Sequence, residues 1–182
     1  MKILLVAINA KYIHSNLAVY CLKAYAEKNM PQDVNVQIEL AEYTINQNRD
    51  EILKDIYRRQ AEMICFSCYI WNIDEMLRHA ENLKKLLPDS KIILGGPEIS
   101  YRSDDFLSEN AYIDHIIRGE GEITLPETIC RILSGEKTEK LLTGKKYYGF
   151  PSDGTHYERF PPKKGSLVYY ETSRGCPYTC GY

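Results

Sequence analysis

Long apolar runs are missing from this sequence. The run that opens it, Ile3 to Ile8 in MKILLVAIN, is too short for a membrane helix or for the apolar region of a signal peptide, and no small-residue cleavage site follows. The expectation is a soluble, cytoplasmic protein with no membrane partner. An excess of either charge is missing too: the formal net charge is −2, and Lys and Arg are scattered along helical segments, which excludes nucleic acid as the main partner. No internal repeat or low-complexity tract is present. No G-x-G-x-x-G follows the first apolar run, as a dinucleotide site needs. That run ends at Asn9 and Lys11, without the acidic cluster of a phosphorylation receiver. Small molecules are left as the expected ligands.

What is present is an ordinary globular composition, 44% hydrophobic and 26% charged, in a chain of 182 residues that suffices for one packed domain and an appendage. Six cysteines without a secretory signal should be reduced, which leaves metal binding or burial to explain them.

The apolar pattern alternates between two periods. Ile3 to Ile8 is a continuous run, whereas Asn16 to Lys28 carries Leu17, Tyr20, Cys21, Ala24 and Tyr25 at spacings of three and four, so a buried strand leads into an amphipathic helix. The same succession recurs as Val34 to Leu40 with Arg49 to Gln60, Met63 to Ser67 with Ile73 to Leu87, the strand Lys91 to Leu94, and Tyr112 to Ile117 with Thr124 to Leu133. Repeated strand–helix units predict a five-stranded parallel sheet wound on both faces, with ligand outside the carboxyl ends of its strands. This α/β domain should occupy residues 1–140. Gly149, Pro151, Gly154, Pro161, Pro162 and Gly165 then punctuate a stretch without helical period, predicting a linker over 141–165. Seven of the fifteen tyrosines lie from Tyr147 onward, as in a segment that lies on another surface. Ser166 to Thr172 reads as a further strand, opening a second unit at 166–182.

Directly after that strand comes SRGCPYTCGY. Cys176 and Cys180 stand at C-x3-C spacing in a Gly- and Pro-bearing loop, a place where thiolates can converge on a small metal body. Alone, such a pair is equally half a zinc site or two free thiols. The surrounding letters resemble the C-x3-C-x2-C motif of the radical S-adenosylmethionine (radical SAM) family. That resemblance implies a [4Fe-4S] cluster held by three cysteines and completed by S-adenosylmethionine, in a loop after the first strand of a partial barrel. The third cysteine would follow Tyr182, so this chain is expected to be a piece cut within the motif and not itself catalytic.

The first domain resembles the cobalamin-binding domains that precede the barrel in one branch of that family, including the anaerobic Mg-protoporphyrin IX monomethyl ester oxidative cyclases and radical methylases. The resemblance implies a flavodoxin-like fold with strand order 2-1-3-4-5 and three ligand loops. Ser67, ending the third strand, matches the serine loop, and Gly95 and Gly96, ending the fourth, match the Gly-Gly loop. The loop after the first strand departs from D-x-H-x-x-G: N-A-K-Y-I-H puts Asn9, Lys11 and His14 there, without the lower-axial histidine at its usual place. Asn9 and His14 are nonetheless candidates for contact with the cofactor. Tyr69 and Trp71 after the third strand, Glu98 and Tyr101 after the fourth, and Gly119 in the G-E-G-E turn after the fifth are candidate pocket residues.

Cys65 and Cys68 have zinc-like spacing but lie in a buried strand with no second pair, and are read as core, as are Cys21 and Cys130. The implied function is cobalamin binding in an enzyme for radical methylation or oxidative cyclisation of a small molecule. A reductant protein such as flavodoxin or ferredoxin would serve it. The rival is the same fold without cobalamin, acting as a scaffold or as a module for another small ligand.

Overall fold

In a computed structural model that describes residues 1–102, 106–147, 164–169, 171 and 174, the chain forms a parallel α/β layer system. The strands are β1 (Lys2–Asn9), β2 (Gln37–Thr44), β3 (Met63–Ser67), β4 (Lys91–Gly95), β5 (His115–Arg118) and β6 (Leu141–Thr143). Between them run α1 (Leu17–Asn29), α2 (Arg49–Arg58), α3 (Ile73–Leu86), the single turns α4 (Pro97–Ser100) and α5 (Phe106–Glu109), and α6 (Thr124–Leu133). All strand pairs are parallel and the order is β2-β1-β3-β4-β5-β6.

The predicted order therefore holds for the first five strands, and a sixth is added at the edge, inside the segment expected to be linker. Three residues suffice because Ile116, Ile117 and Arg118 of β5 offer an open edge to Leu141, Leu142 and Thr143. The strand expected from Ser166 is not found among its described residues: Leu167 donates one backbone hydrogen bond to Ile13 and accepts another from Ser15 Oγ, so it lies on the loop after β1 and pairs with no strand.

Both faces of the sheet are packed, which is why β1 is apolar throughout. Leu4, Val6 and Ile8 point to the side of α2 and α3 and meet Ile52, Ile56, Met76 and Leu83. Ile3, Leu5 and Ala7 point to the side of α1 and α6 and meet Val19, Ala26, Leu125 and Ile129. Burial of this kind contributes roughly 25 cal/mol per Å² of apolar surface and is the main stabilising term. Asparagines start the first helices: Asn16 Oδ1 accepts from Val19 N, and Asn48 Oδ1 from the amides of Asp50 and Glu51. Among the described residues no helix is long and apolar enough to cross a membrane.

Candidate functional site

Side chains alternate along a strand, so the register decides what the carboxyl ends present on each face. On the α1/α6 face one row runs across five strands: Glu42, Ala7, Ser67, Gly95 and Ile117. The three central members are small. The row beneath is apolar, and Leu5, Cys65 and Ile93 of it reach the cavity. A slot of about 410 Å³ opens above that floor, lined by Val19 and Leu22 of α1, Leu125 of α6, Ser67 and Gly95 at the strand ends, and the charged Glu120, Glu122 and Arg174.

Ser67 is held from two sides. Asn16 Nδ2 donates to its hydroxyl at 3.3 Å, and Asn72 Nδ2 donates to its carbonyl at 3.1 Å. Buried Asn72 gives no side-chain cap to α3; it also donates to the Ile8 carbonyl and accepts from Tyr69 N, tying the loop after β3 to the end of β1. On that loop the Tyr69 and Trp71 rings stack at 4.5 Å, and Trp71 Nε1 donates to Ile8 O. Burial raises the Tyr69 phenol above its ordinary pKa, while hydrogen bonding to Ser67 and Asn16 acts the other way.

The two glycines after β4 do different work. Gly96 has φ +106°, and a β-carbon there would lie 2.5 Å from Cys68 O and 2.9 Å from Cys68 N. Its lack of side chain lets the loops after β3 and β4 touch, through Cys68 N donating to Gly95 O and Glu98 N to Cys68 O. At Gly95 a β-carbon would meet only Ile117 O, at 3.9 Å, so this missing side chain is what leaves the slot open.

A second cavity of about 420 Å³ lies between the loops after β1 and β2 and residues 164–166. Asn9 and His14 line it, not the slot. Glu42 organises its wall, accepting from Asn9 Nδ2, Asn16 N and Tyr20 OH. His14 Nδ1 is hydrogen-bonded to the Tyr169 hydroxyl and the rings stack at 5.9 Å.

Residues 3–129 match the model of the B12 binding domain. The chain belongs to the B12-binding domain family. Among curated proteins this B12-binding domain is 28% identical to the cobalamin-dependent radical SAM methyltransferase TokK of Streptomyces tokunonensis, over 68% of the chain and 22% of that protein. It is 27% identical to the hopanoid C-3 methylase of Methylococcus capsulatus, over 80% of the chain and 32% of that protein. The chain thus spans about a fifth to a third of the length of these relatives. Among solved structures, the cobalamin-dependent S-adenosylmethionine radical enzyme OxsB, with aqua-cobalamin and S-adenosylmethionine bound, superimposes with a TM-score of 0.61 at 19% identity, over 75% of this chain and 19% of that one. A likeness at that identity speaks for the fold.

Of the residues singled out in the sequence, the B12-binding domain brings Ser67, Tyr69, Gly95, Gly96 and Gly119 to one cavity, with Tyr101 beside them. Glu98 lines neither cavity and pairs with Arg102 at 2.7 Å. Cys176 and Cys180 lie outside the described residues. Cys65 and Cys68 are buried free thiols pushed up to about 12 by desolvation, and no cluster of three metal-ligating side chains exists among the described residues.

Several residues escaped sequence reasoning. Asn16 and Glu42 hold the β1 loop, and their only legible signal was the helix-cap position of Asn16. In the G-E-G-E turn Glu122 is 5% exposed and receives Arg174 Nη1 at 2.7 Å, while Glu120 Oε2 accepts from Tyr147 N. Arg174 also chelates Glu171 and lines the slot. Burial opposes its charge, yet the hydrogen bonds to Glu171 and Glu122 prevail and raise its pKa.

Proposed function

We propose that this chain binds cobalamin, takes its nucleotide tail into the slot beneath α1 and α6, and holds the corrin over the carboxyl edge, as the amino-terminal part of a larger radical SAM methyltransferase. The observation that carries this reading is the row Ala7, Ser67, Gly95. In a B12-binding domain it leaves a slot with a mostly apolar lining and polar groups at Ser67 and at the Glu120, Glu122 and Arg174 side, the chemistry that a flat aromatic base on a polar tail requires.

Leu5, Val19, Cys65 and Ile93 would hold the base, Ser67 would meet its polar edge, and the backbone at Gly95, Gly96 and Gly119 would pass close to the rest of the tail. Tyr12, Ile70, Trp71 and Tyr101 are exposed apolar side chains on the loops of the same edge, where a corrin would cover them. Asn9 would fix the β1 loop through Glu42, and His14, hydrogen-bonded to Tyr169, would face the second cavity and not the slot. Bound there, cobalamin would supply methyl-transfer chemistry.

Cys176, Cys180 and a third cysteine beyond Tyr182 would hold a [4Fe-4S] cluster with S-adenosylmethionine, reduced by a flavodoxin or ferredoxin, and the substrate would be a small molecule met in the cytoplasm. The names of the relatives favour methyl transfer, whereas oxidative ring closure rests only on the likeness of the sequence layout to the cyclases. The test is addition of hydroxocobalamin to the chain, followed by its visible spectrum and gel filtration. Co-elution with a perturbed spectrum is expected; no co-elution at high micromolar cofactor overturns the proposal.

A further inference from the structure

One guanidinium ties the last described residue of the chain to the turn after β5. Arg174 Nη1 donates to Glu122 Oε1 at 2.7 Å and lies 3.7 Å from Glu120 Oε2, while its Nε and Nη2 donate to the two carboxylate oxygens of Glu171 at 2.9 and 2.8 Å. Glu171 stands three residues away on the same segment, so its fork orients the guanidinium. Glu122, 52 positions back, belongs to the domain; it is 5% exposed, and a carboxylate at that depth is costly without a cation. The same turn also holds the outgoing chain, because Glu120 Oε2 accepts from Tyr147 N at 2.7 Å and the Tyr147 ring stands edge-on to Tyr25 of α1 at 5.1 Å. The G-E-G-E turn thus meets the chain where it leaves the domain and again two positions before Cys176.

Glu120, Glu122 and Arg174 line the slot together. The nucleotide tail of cobalamin carries a phosphodiester, an anion. With Arg174 docked, the two carboxylates are offset by its charge. With Arg174 withdrawn they face that anion as like charges, in a cavity where water screens them poorly.

We infer that the G-E-G-E turn is a docking socket for the segment that leads into Cys176, that Arg174 is its positioning residue, and that docking is coupled to the filling of the slot. The inference rests on the cobalamin reading and goes beyond it by naming the contact through which cofactor and cysteine-bearing segment sense one another. Such coupling is reciprocal: the tail favours the docked segment by the factor by which docking favours the tail.

Trypsin reads the docking directly, since it cleaves after Arg174 when that side chain leaves its carboxylates for the protease. Cleavage at a transiently opened site follows the population of the open form. Mass spectrometry of the 182-residue chain would follow the 1–174 product, with cleavage after the exposed Lys137 as a control for the integrity of the domain. In Glu122→Gln, which keeps the shape but gives up the charged bond, the 1–174 product should form about tenfold faster, with Lys137 cut within about twofold of wild type. Saturating hydroxocobalamin, its binding verified by co-elution, should slow the wild-type 1–174 product at least about threefold, whereas cobinamide, the corrin without the nucleotide, should change it less than about twofold. Arg174→Lys keeps the charge and the cleavage site, but an ammonium cannot fork onto Glu171 while reaching Glu122, so its product should also form about threefold faster. That change lies outside the matched residues 3–129 and stands in should Glu122→Gln fail to fold. Equal rates at Arg174 in wild type and Glu122→Gln, a wild type cut as fast with cobalamin bound as without, or equal protection by cobinamide would each overturn the inference and leave the cobalamin reading intact. A wild-type chain that retains no cobalamin overturns that reading, and the coupling with it.

Discussion

Gly95 and Gly96 are neighbours in sequence, yet alanine should act at them through different physics. At Gly96 a methyl group meets two costs. The φ of +106° lies where L side chains are strained, which costs about 1–3 kcal/mol. The methyl would also sit 2.5 Å from the Cys68 carbonyl oxygen, and since that atom is backbone the loop after β3 must move. Displacing it weakens the bonds from Cys68 N to Gly95 O and from Glu98 N to Cys68 O, at about 1 kcal/mol each. The expected total is about 3–5 kcal/mol out of the roughly 5–15 kcal/mol that stabilise a domain, with Tm falling by about 10 °C. At Gly95 no φ strain arises, and the nearest atom to an added methyl is Ile117 O at 3.9 Å. Stability should stay within about 1 kcal/mol of wild type, since a tolerated Gly→Ala change restricts the unfolded chain. The methyl would instead enter the slot beside Ser67 and weaken cobalamin at least about tenfold, or 1.4 kcal/mol. Urea unfolding followed by circular dichroism and cobalamin titration measure both variants. A Gly96→Ala protein as stable as wild type, or a Gly95→Ala protein of unchanged affinity, would refute this division of labour between the two glycines.

Further outcomes follow from the same geometry. His14→Ala should leave the visible spectrum and affinity of bound hydroxocobalamin unchanged within about twofold, because His14 lies in the second cavity against Tyr169; a changed cobalt spectrum would place it on the metal. His79 has its pKa lowered from 6.5, because burial outweighs the attraction of Glu75 3.5 Å away. The folded chain therefore binds fewer protons than the unfolded one below pH 6.5, so stability is whole above that pH and falls on acidification through the folded pKa, by at most about 1.4 kcal/mol per unit. His79→Gln should flatten this limb in denaturation curves between pH 5 and 7. Asp114 has a lowered pKa although burial would raise it, because Lys84, the Ile92 amide and Lys91 together prevail. Asp114→Asn should cost about 1–3 kcal/mol in urea unfolding at pH 7 through the loss of these charged bonds, and the difference should shrink in strong acid, where wild type is protonated too.

The fold was legible where burial is two-sided. Met63–Ser67 and Thr124–Leu133 are found at their expected bounds, since the strand is apolar throughout and the helix is closed by Gly135. Edges were less legible. β2 was expected at 34–40 and lies at Gln37–Thr44: it has one neighbour, so Glu39 and Glu42 can stand within it and blur its apolar pattern. Tyr112 and Ile113, expected to open β5, belong to the preceding turn, where Ile113 is buried against the α2/α3 side. The three residues of β6 hold too short a pattern to detect, and their structure comes from the edge they join.

For the site, the limit lay in the third dimension of the sheet. Ser67 and Gly95 could be named because each ends a strand, and strand ends are where an α/β sheet binds. Their joint meaning could not, because it depends on register: Ala7, Ser67 and Gly95 form one row on one face, and shifting any of those strands by a residue would turn a large side chain such as that of Ile8, Phe66 or Leu94 from the opposite face into that row. The β1 loop illustrates the same point from the other side. Read along the chain it shows only a departure from D-x-H-x-x-G, but the loop is anchored by Glu42, 26 positions from Asn16, and Asn16 in turn reaches Ser67, 51 positions away. A polar residue on an edge strand carries no local mark of such a role. The altered first loop is therefore tied to the slot as well as to the second cavity: its last residue, Asn16, caps α1 and reaches Ser67, while Asn9 and His14 line the second cavity.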